Sequence, residues 1–266
     1  MAGKSRQRLI KRAEALHKAS ALLLAKQTPL LPSDVHQLRV SIKELRALWQ
    51  VLQPFLAPGE AARANRDIGR AAKRLATARD QHVQLKTLDK RIGKAQDAEL
   101  PSLRRVRELL SARQTDAPGH ALLIDDIAAR FAQDHQRWQD LELTCGRREL
   151  MRKGYGRLYR KARKCFRRAS KGGSAEDWHR LRRWVKYLAL ALPVIADDSV
   201  TKATSRRYAR LAEKLGELND LDVLATLLKQ LSGKNSKSAR QAIALVEQRA
   251  ERVQEKCHKQ ARRLFQ

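Results

Sequence analysis

The stretch DVHQLRVSIKELRALW, at 34 to 49, returns as DWHRLRRWVKYLALAL at 177 to 192, with Asp, His, Leu, Arg, Lys and Leu in the same places. The shared core is D-x-H-x-L-R-x-x-x-K-x-L. A second pair follows in the same order: RDIGRAAKRLATARD at 66 to 80 matches RRYARLAEKLGELND at 206 to 220. By number, Arg66, Arg70, Arg74, Leu75 and Asp80 become Arg206, Arg210, Lys214, Leu215 and Asp220 at one constant offset. Self-similarity on this scale marks a duplicated supersecondary unit. The chain is therefore expected to fold as two related halves, with their boundary between Pro118 and Arg147.

Periodicity says what each half is made of. At about 100° per residue, Val35, Leu38, Ile42, Leu45, Trp49 and Leu52 form one apolar stripe. His36, Arg39, Lys43 and Arg46 form a second stripe displaced by roughly 110°, so the cations flank the core instead of facing directly away from it. In the second copy Trp178, Leu181, Val185, Leu188 and Leu192 make the apolar stripe, with His179, Arg182 and Lys186 beside it. The following helix of each half sets Ile68, Ala72 and Leu75, or Tyr208, Ala212 and Leu215, opposite its own cations. Breakers at 27–33, 53–59, 100–102, 115–119, 170–173 and 232–237 divide the rest into helical pieces. Ser33 or Asp34 is placed to cap the first motif helix, and Ser174 the second. With only 12 Gly, 7 Pro and 5% aromatic residues, the expected class is all-α.

The cations need a reason. Lys and Arg number 57 against 28 acids, a formal charge of +29 that repels itself unless a polyanion is the usual companion. Solvated basic faces are common, and Arg104 and Arg107 are read that way. The motif rows differ, because they recur after a histidine in both halves without the i+4 Glu partners that normally neutralise such a face. The spacing supports no P-loop, no HxK pair and no carboxylate set for magnesium or zinc. Three dispersed cysteines, Cys145, Cys165 and Cys257, suggest neither a disulfide framework nor a zinc site, and a reducing cytoplasm is the expected compartment. The longest N-terminal apolar run, Ala21 to Ala25, is too short for a membrane span. Nucleic acid is the competing partner, since this charge attracts any phosphate chain. Base stacking, however, needs exposed aromatics, and Trp49, Trp178 and Trp184 sit at or beside core-facing positions.

These motifs resemble those of the CHAD family, the conserved histidine α-helical domains, over nearly the whole chain. The resemblance is carried by VHQLRVSIKELR and WHRLRRWVKYLALAL, by LATARD and LGELND, and by RKGYGRLYRKARKCFRRA ahead of the second motif helix. It implies one domain over 1–266: a first half at 1–118, a bridging or completing helix at 119–145, and a second half at 146–266. The implied fold is two four-helix bundles related by a pseudo-twofold axis, with a central basic pore or groove. The implied ligand is inorganic polyphosphate, bound without catalysis, cofactor or metal. Nonspecific nucleic acid is the alternative partner, a polyphosphate-processing enzyme the weaker alternative, and cytoplasmic polyphosphate granules a place to look. The residues it favours are His36, Arg39, Lys43 and Arg46; Arg66, Arg70 and Arg74; His179, Arg182 and Lys186; Arg206, Arg210 and Lys214; and, in the cation-rich segment 147–168, Lys153, Arg157 and Arg160. The sequence departs from the family pattern where Lys43 and Lys186 replace Arg, where Asn219 stands for Arg79, and where Ala189 stands for Arg46.

Overall fold

The computed structural model describes residues 3–26, 30–93, 100–111, 120–196, 198–231 and 237–266. Helices α1 (Gly3–Leu24), α2 (Pro32–Leu52), α3 (Glu60–Ile92), α4 (Leu100–Ser111) and α5 (His120–Gln139) come first. A short α6 (Arg147–Glu149), a π-helical turn (Leu150–Tyr155) and α7 (Gly156–Ala169) then run on continuously, before α8 (Ala175–Ile195), α9 (Ser199–Leu231) and α10 (Lys237–Phe265). The fold is all-α, with no strand among the described residues. The paired motif helices α2 and α8 are both 21 residues long, and the helices that follow them, α3 and α9, are both 33. None of the described helices is long and apolar enough to cross a membrane.

The motif aspartates start their helices from inside the first turn. Helix α2 begins at Pro32 after Leu31, so neither Ser33 nor Asp34 is its N-cap, contrary to the sequence expectation. Proline fits the first helical position because its missing N–H would have no partner there. Asp34 instead reaches back to accept the Leu31 N–H at 3.0 Å and takes Lys26 Nζ at 2.8 Å. Asp177 does the same in α8, accepting the N–H and hydroxyl of Ser174 at 3.2 and 3.3 Å. The first Asp of the repeated pattern is thus a reciprocal capping residue.

This has a measurable consequence. The bond from Lys26, then that from Leu31, holds the Asp34 carboxyl below the ordinary carboxylate range. Its contribution is present above the unfolded value of about 3.9 and is lost as pH falls through the lower folded value. Urea unfolding of Asp34→Asn across acid pH should therefore show a shallower loss of stability below about pH 4 than wild type. Superimposable acid limbs would show that Asp34 carries no such contribution.

The chain forms two compact units interleaved in sequence. Residues 1–77, 118–164 and 183–210 make the first, and residues 78–117, 165–182 and 211–266 the second. In the first, every residue of the predicted α2 stripe is buried, together with Leu9, Ala13 and Leu16 of α1 and Ile127, Phe131 and Trp138 of α5. Trp49 packs on Trp138 with ring centroids 4.6 Å apart and donates its indole N–H to Asp134 at 2.9 Å. The other Asp134 oxygen lies 3.2 Å from His17 Nε2, between side chains only 1% and 3% exposed. The second unit buries Trp178 and Leu181 of α8 with Leu215, Leu218 and Leu224 of α9 and Val246, Val253 and Phe265 of α10. Burial and, secondarily, Glu217 push the Cys257 thiol up to about 12, so it packs as an inert apolar group.

Candidate anion-binding site

The α2 row lies along the seam with α3. His36 is exposed at its head, and Arg39, Lys43 and Arg46 are half-buried below it. Arg39 Nη1 donates to the Ala72 carbonyl of α3 at 3.2 Å, and Arg46 Nε donates to Asn65 Oδ1 at 2.9 Å. A Cβ on Gly69 would stand 3.4 Å from the Arg46 guanidinium carbon, so the charged group rests almost on the α3 backbone. Small residues on that face, Gly69 and Ala72, let both guanidiniums pack against α3.

The second unit holds its part of the α8 row in a similar way. His179 Nδ1 donates to Asn219 Oδ1 at 2.5 Å, which fixes the ring and leaves Nε2 as the nitrogen not used in that bond. Arg182 lies over α9, its Nε 3.5 Å from where a Gly216 Cβ would be. Asn219 had looked like a lost arginine, but it orients the motif histidine; its counterpart Arg79, like Asp80, has a side chain outside the described residues. Lys186, in the part of α8 that belongs to the first unit, is half-buried.

The rows of α3 and α9 do not join them. Arg66, Arg70 and Arg74 are exposed and lie roughly 130° around α3 from the Asn65, Gly69 and Ala72 face. There Arg70 meets Asp67 at 3.5 Å and Arg74 meets Asp126 of α5 at 3.4 Å. Arg206 and Arg210 are exposed, and Lys214 pairs with Glu217 at 2.9 Å, all on a flank of α9 away from Gly216 and Asn219. Glu217 also takes Arg249, and although burial raises its pKa, the two cations more than offset this and hold the carboxyl low. The rows of α3 and α9 thus stand on flanks away from the residues that meet α2 and α8: a wheel gives each row's angle, but not which flank the neighbouring helix covers.

The segment 147–168 resolves into a definite arrangement. Arg157 of α7 donates to the Gln50 carbonyl at 3.1 Å and to Gln50 Oε1 at 3.2 Å, with its guanidinium 5.9 Å from the Trp184 ring centroid. Lys153 pairs with Glu149 at 3.1 Å, and Arg160 is exposed. Gln50 falls four positions beyond Arg46, so it continues the α2 row; that spacing was the only sequence sign of its role. Asn65 and Arg152 were missed as well, Asn65 because an amide among cations carries no pattern of its own, and Asn219 stood out only as a departure from the family pattern.

A family model for the CHAD domain matches residues 7–229. The chain belongs to the CHAD family. Among solved structures it is similar to the crystal structure of the CHAD domain from the plant Ricinus communis, with a TM-score of 0.57 and 20% identity over 96% of this chain and 89% of that one. At that identity the likeness is one of fold. Comparison with curated proteins returned no match. In this CHAD chain the motif histidines differ in setting, His36 exposed at the head of its row and His179 half-buried against Asn219.

Proposed function

We propose that this CHAD chain binds inorganic polyphosphate without turning it over, along the His, Arg and Lys rows of α2 and α8. The observation that carries the reading is how the guanidiniums of the first unit are held. Arg46 and Arg157 are oriented by uncharged oxygens of Asn65 and Gln50, so each guanidinium is held in a fixed direction by neutral partners. Preoriented guanidiniums suit phosphate oxygens, which accept two parallel N–H bonds. Successive cations three or four residues apart stand about 5 Å apart along the axis, a ladder for a linear chain of repeated charges. The outer rows Arg66, Arg70, Arg74, Arg206, Arg210 and Lys214 add to the field that draws a polyanion in.

Nucleic acid would use the same charge, but no large aromatic side chain is exposed among the described residues. Stacking platforms of the kind single strands use are therefore not on offer there. Competition of labelled long-chain polyphosphate against single-stranded and duplex nucleic acid at about 150 mM salt separates the two partners. Polyphosphate should win, and nucleic acid winning would overturn the assignment. The acids beside the cationic helices, Asp67, Asp126, Glu149 and Glu217, are engaged in ion pairs, which favours binding over turnover. Chain length should accordingly stay unchanged after prolonged incubation with magnesium, and shortening would show a polyphosphate-processing enzyme.

A further inference from the structure

The α2 row has a foot. Beyond Arg46 and Gln50, α2 gives way to a short 3-10 turn, Gln53–Phe55, and Pro54 of that turn lines a cleft of about 430 Å³. Its other walls are Arg152, Lys153, Arg157 and Arg160. The volume falls within the range of about 300–1,000 Å³ that small ligands occupy.

The cleft is built by the π-helical turn Leu150–Tyr155, a wide turn of a kind that recurs at functional sites. Gly154 lets that turn press against the last turn of α2, because a Cβ there would lie 2.6 Å from the Val51 carbonyl oxygen. The result brings Arg152 and Lys153 from the turn together with Arg157 and Arg160 from α7. Glu149 pairs with Lys153 at 3.1 Å, but among the described residues no carboxylate lines the cleft itself. Burial, and after it the charge of Arg160, draws the Arg157 guanidinium below the ordinary arginine range. Like charges gathered in this way are costly unless an anion sits among them.

A converging cluster and a linear row suit different groups. An internal phosphate of a condensed chain has one ionised oxygen, whereas a terminal phosphate has a second that ionises near neutral pH, so negative charge is densest at a chain end. We propose that this cleft takes the terminal di- or triphosphate of a condensed phosphate, with the α2 row carrying the body of a longer chain. The part concerning the row rests on the polyphosphate reading above. The cleft itself does not, since a free triphosphate offers the same group as a chain end.

Calorimetric titration of the wild type and of Arg152→Ala/Arg160→Ala tests this, with linear triphosphate, cyclic trimetaphosphate and long-chain polyphosphate as ligands. Circular dichroism checks that the variant is folded. Linear triphosphate should bind one to one, and both the double substitution and the replacement of the linear by the endless cyclic ligand should weaken binding by about tenfold or more. Equal affinities of wild type and variant for triphosphate, or equal affinities for the linear and cyclic forms, overturn the cleft and leave the row reading standing. Cleft-dependent triphosphate binding without long-chain binding supports the cleft as a site for free oligophosphate and overturns the row. Absence of binding by either linear ligand overturns both.

Discussion

Replacing Arg39, Lys43, Arg182 and Lys186 together by Glu should weaken polyphosphate binding by ~10³-fold or more. A hydrogen bond to a charged group contributes about 1.5–3 kcal/mol. Four lost contacts therefore remove on the order of 6 kcal/mol, or ~10⁴ in affinity, before flexible neighbours compensate. Reversal of sign adds repulsion to this loss. The slope of log affinity against log salt should also fall by about 3, since each phosphate contact on a single strand contributes about 0.7. Arg39 donates to the Ala72 carbonyl, so a carboxylate there would face an acceptor and could loosen the α2–α3 seam. The matching Gln set keeps a donor at each position and separates the two effects. It should fold as wild type and still lose most of the binding, whereas full binding by a folded Glu set would show the row to be merely solvated.

The largest expected effect on stability lies away from these cations. Asp134 accepts the Trp49 indole N–H and faces His17 in the core of the first unit. Asp134→Ala leaves a buried indole N–H without its acceptor and removes the carboxylate beside a buried imidazole. Leaving a buried donor without its acceptor costs about 1–3 kcal/mol. At roughly 2–4 °C per kcal/mol for a protein of this size, the thermal midpoint should fall by on the order of 5 °C. Asp134→Asn retains an acceptor for Trp49 and should lose distinctly less. Thermal denaturation followed by circular dichroism measures both, and an Ala variant melting within about 2 °C of wild type would show that the cluster contributes little.

Much of this was legible in the residues because an amphipathic helix reports its own buried face. Val35 through Leu52 and Trp178 through Leu192 are buried where their periodicity put them, and the cations beside them are half-buried, as a displacement of roughly 110° implies. What a wheel omits is the azimuth of the next helix. Arg70 and Arg74 share the spacing of Arg39 and Lys43, yet face acids of α3 and α5 because α2 packs on the small residues of the opposite flank. The π turn escaped for a related reason: LMRKGY has ordinary helical composition, and only the fold brings Gly154 so near α2 that a Cβ there would lie 2.6 Å from the Val51 carbonyl oxygen. The His17–Asp134 contact joins positions far apart in the chain, and two polar residues on apolar faces carry no sign that they meet.

The interleaving of the two units has a consequence for how the chain reaches its structure. The repeat runs in series along the sequence, but the first unit closes only with residues 183–210, where the Ser5 hydroxyl donates to the Ile195 carbonyl at 3.0 Å across 190 positions. Contacts of such long range slow folding, because loop closure must precede the contacts that reward it. During synthesis the N-terminal helices must therefore wait, partly unpacked, for α8 and the start of α9 to emerge. A fragment cut between the two copies of the motif would carry one complete copy but an incomplete core, so the span that repeats in the sequence is not the span that folds.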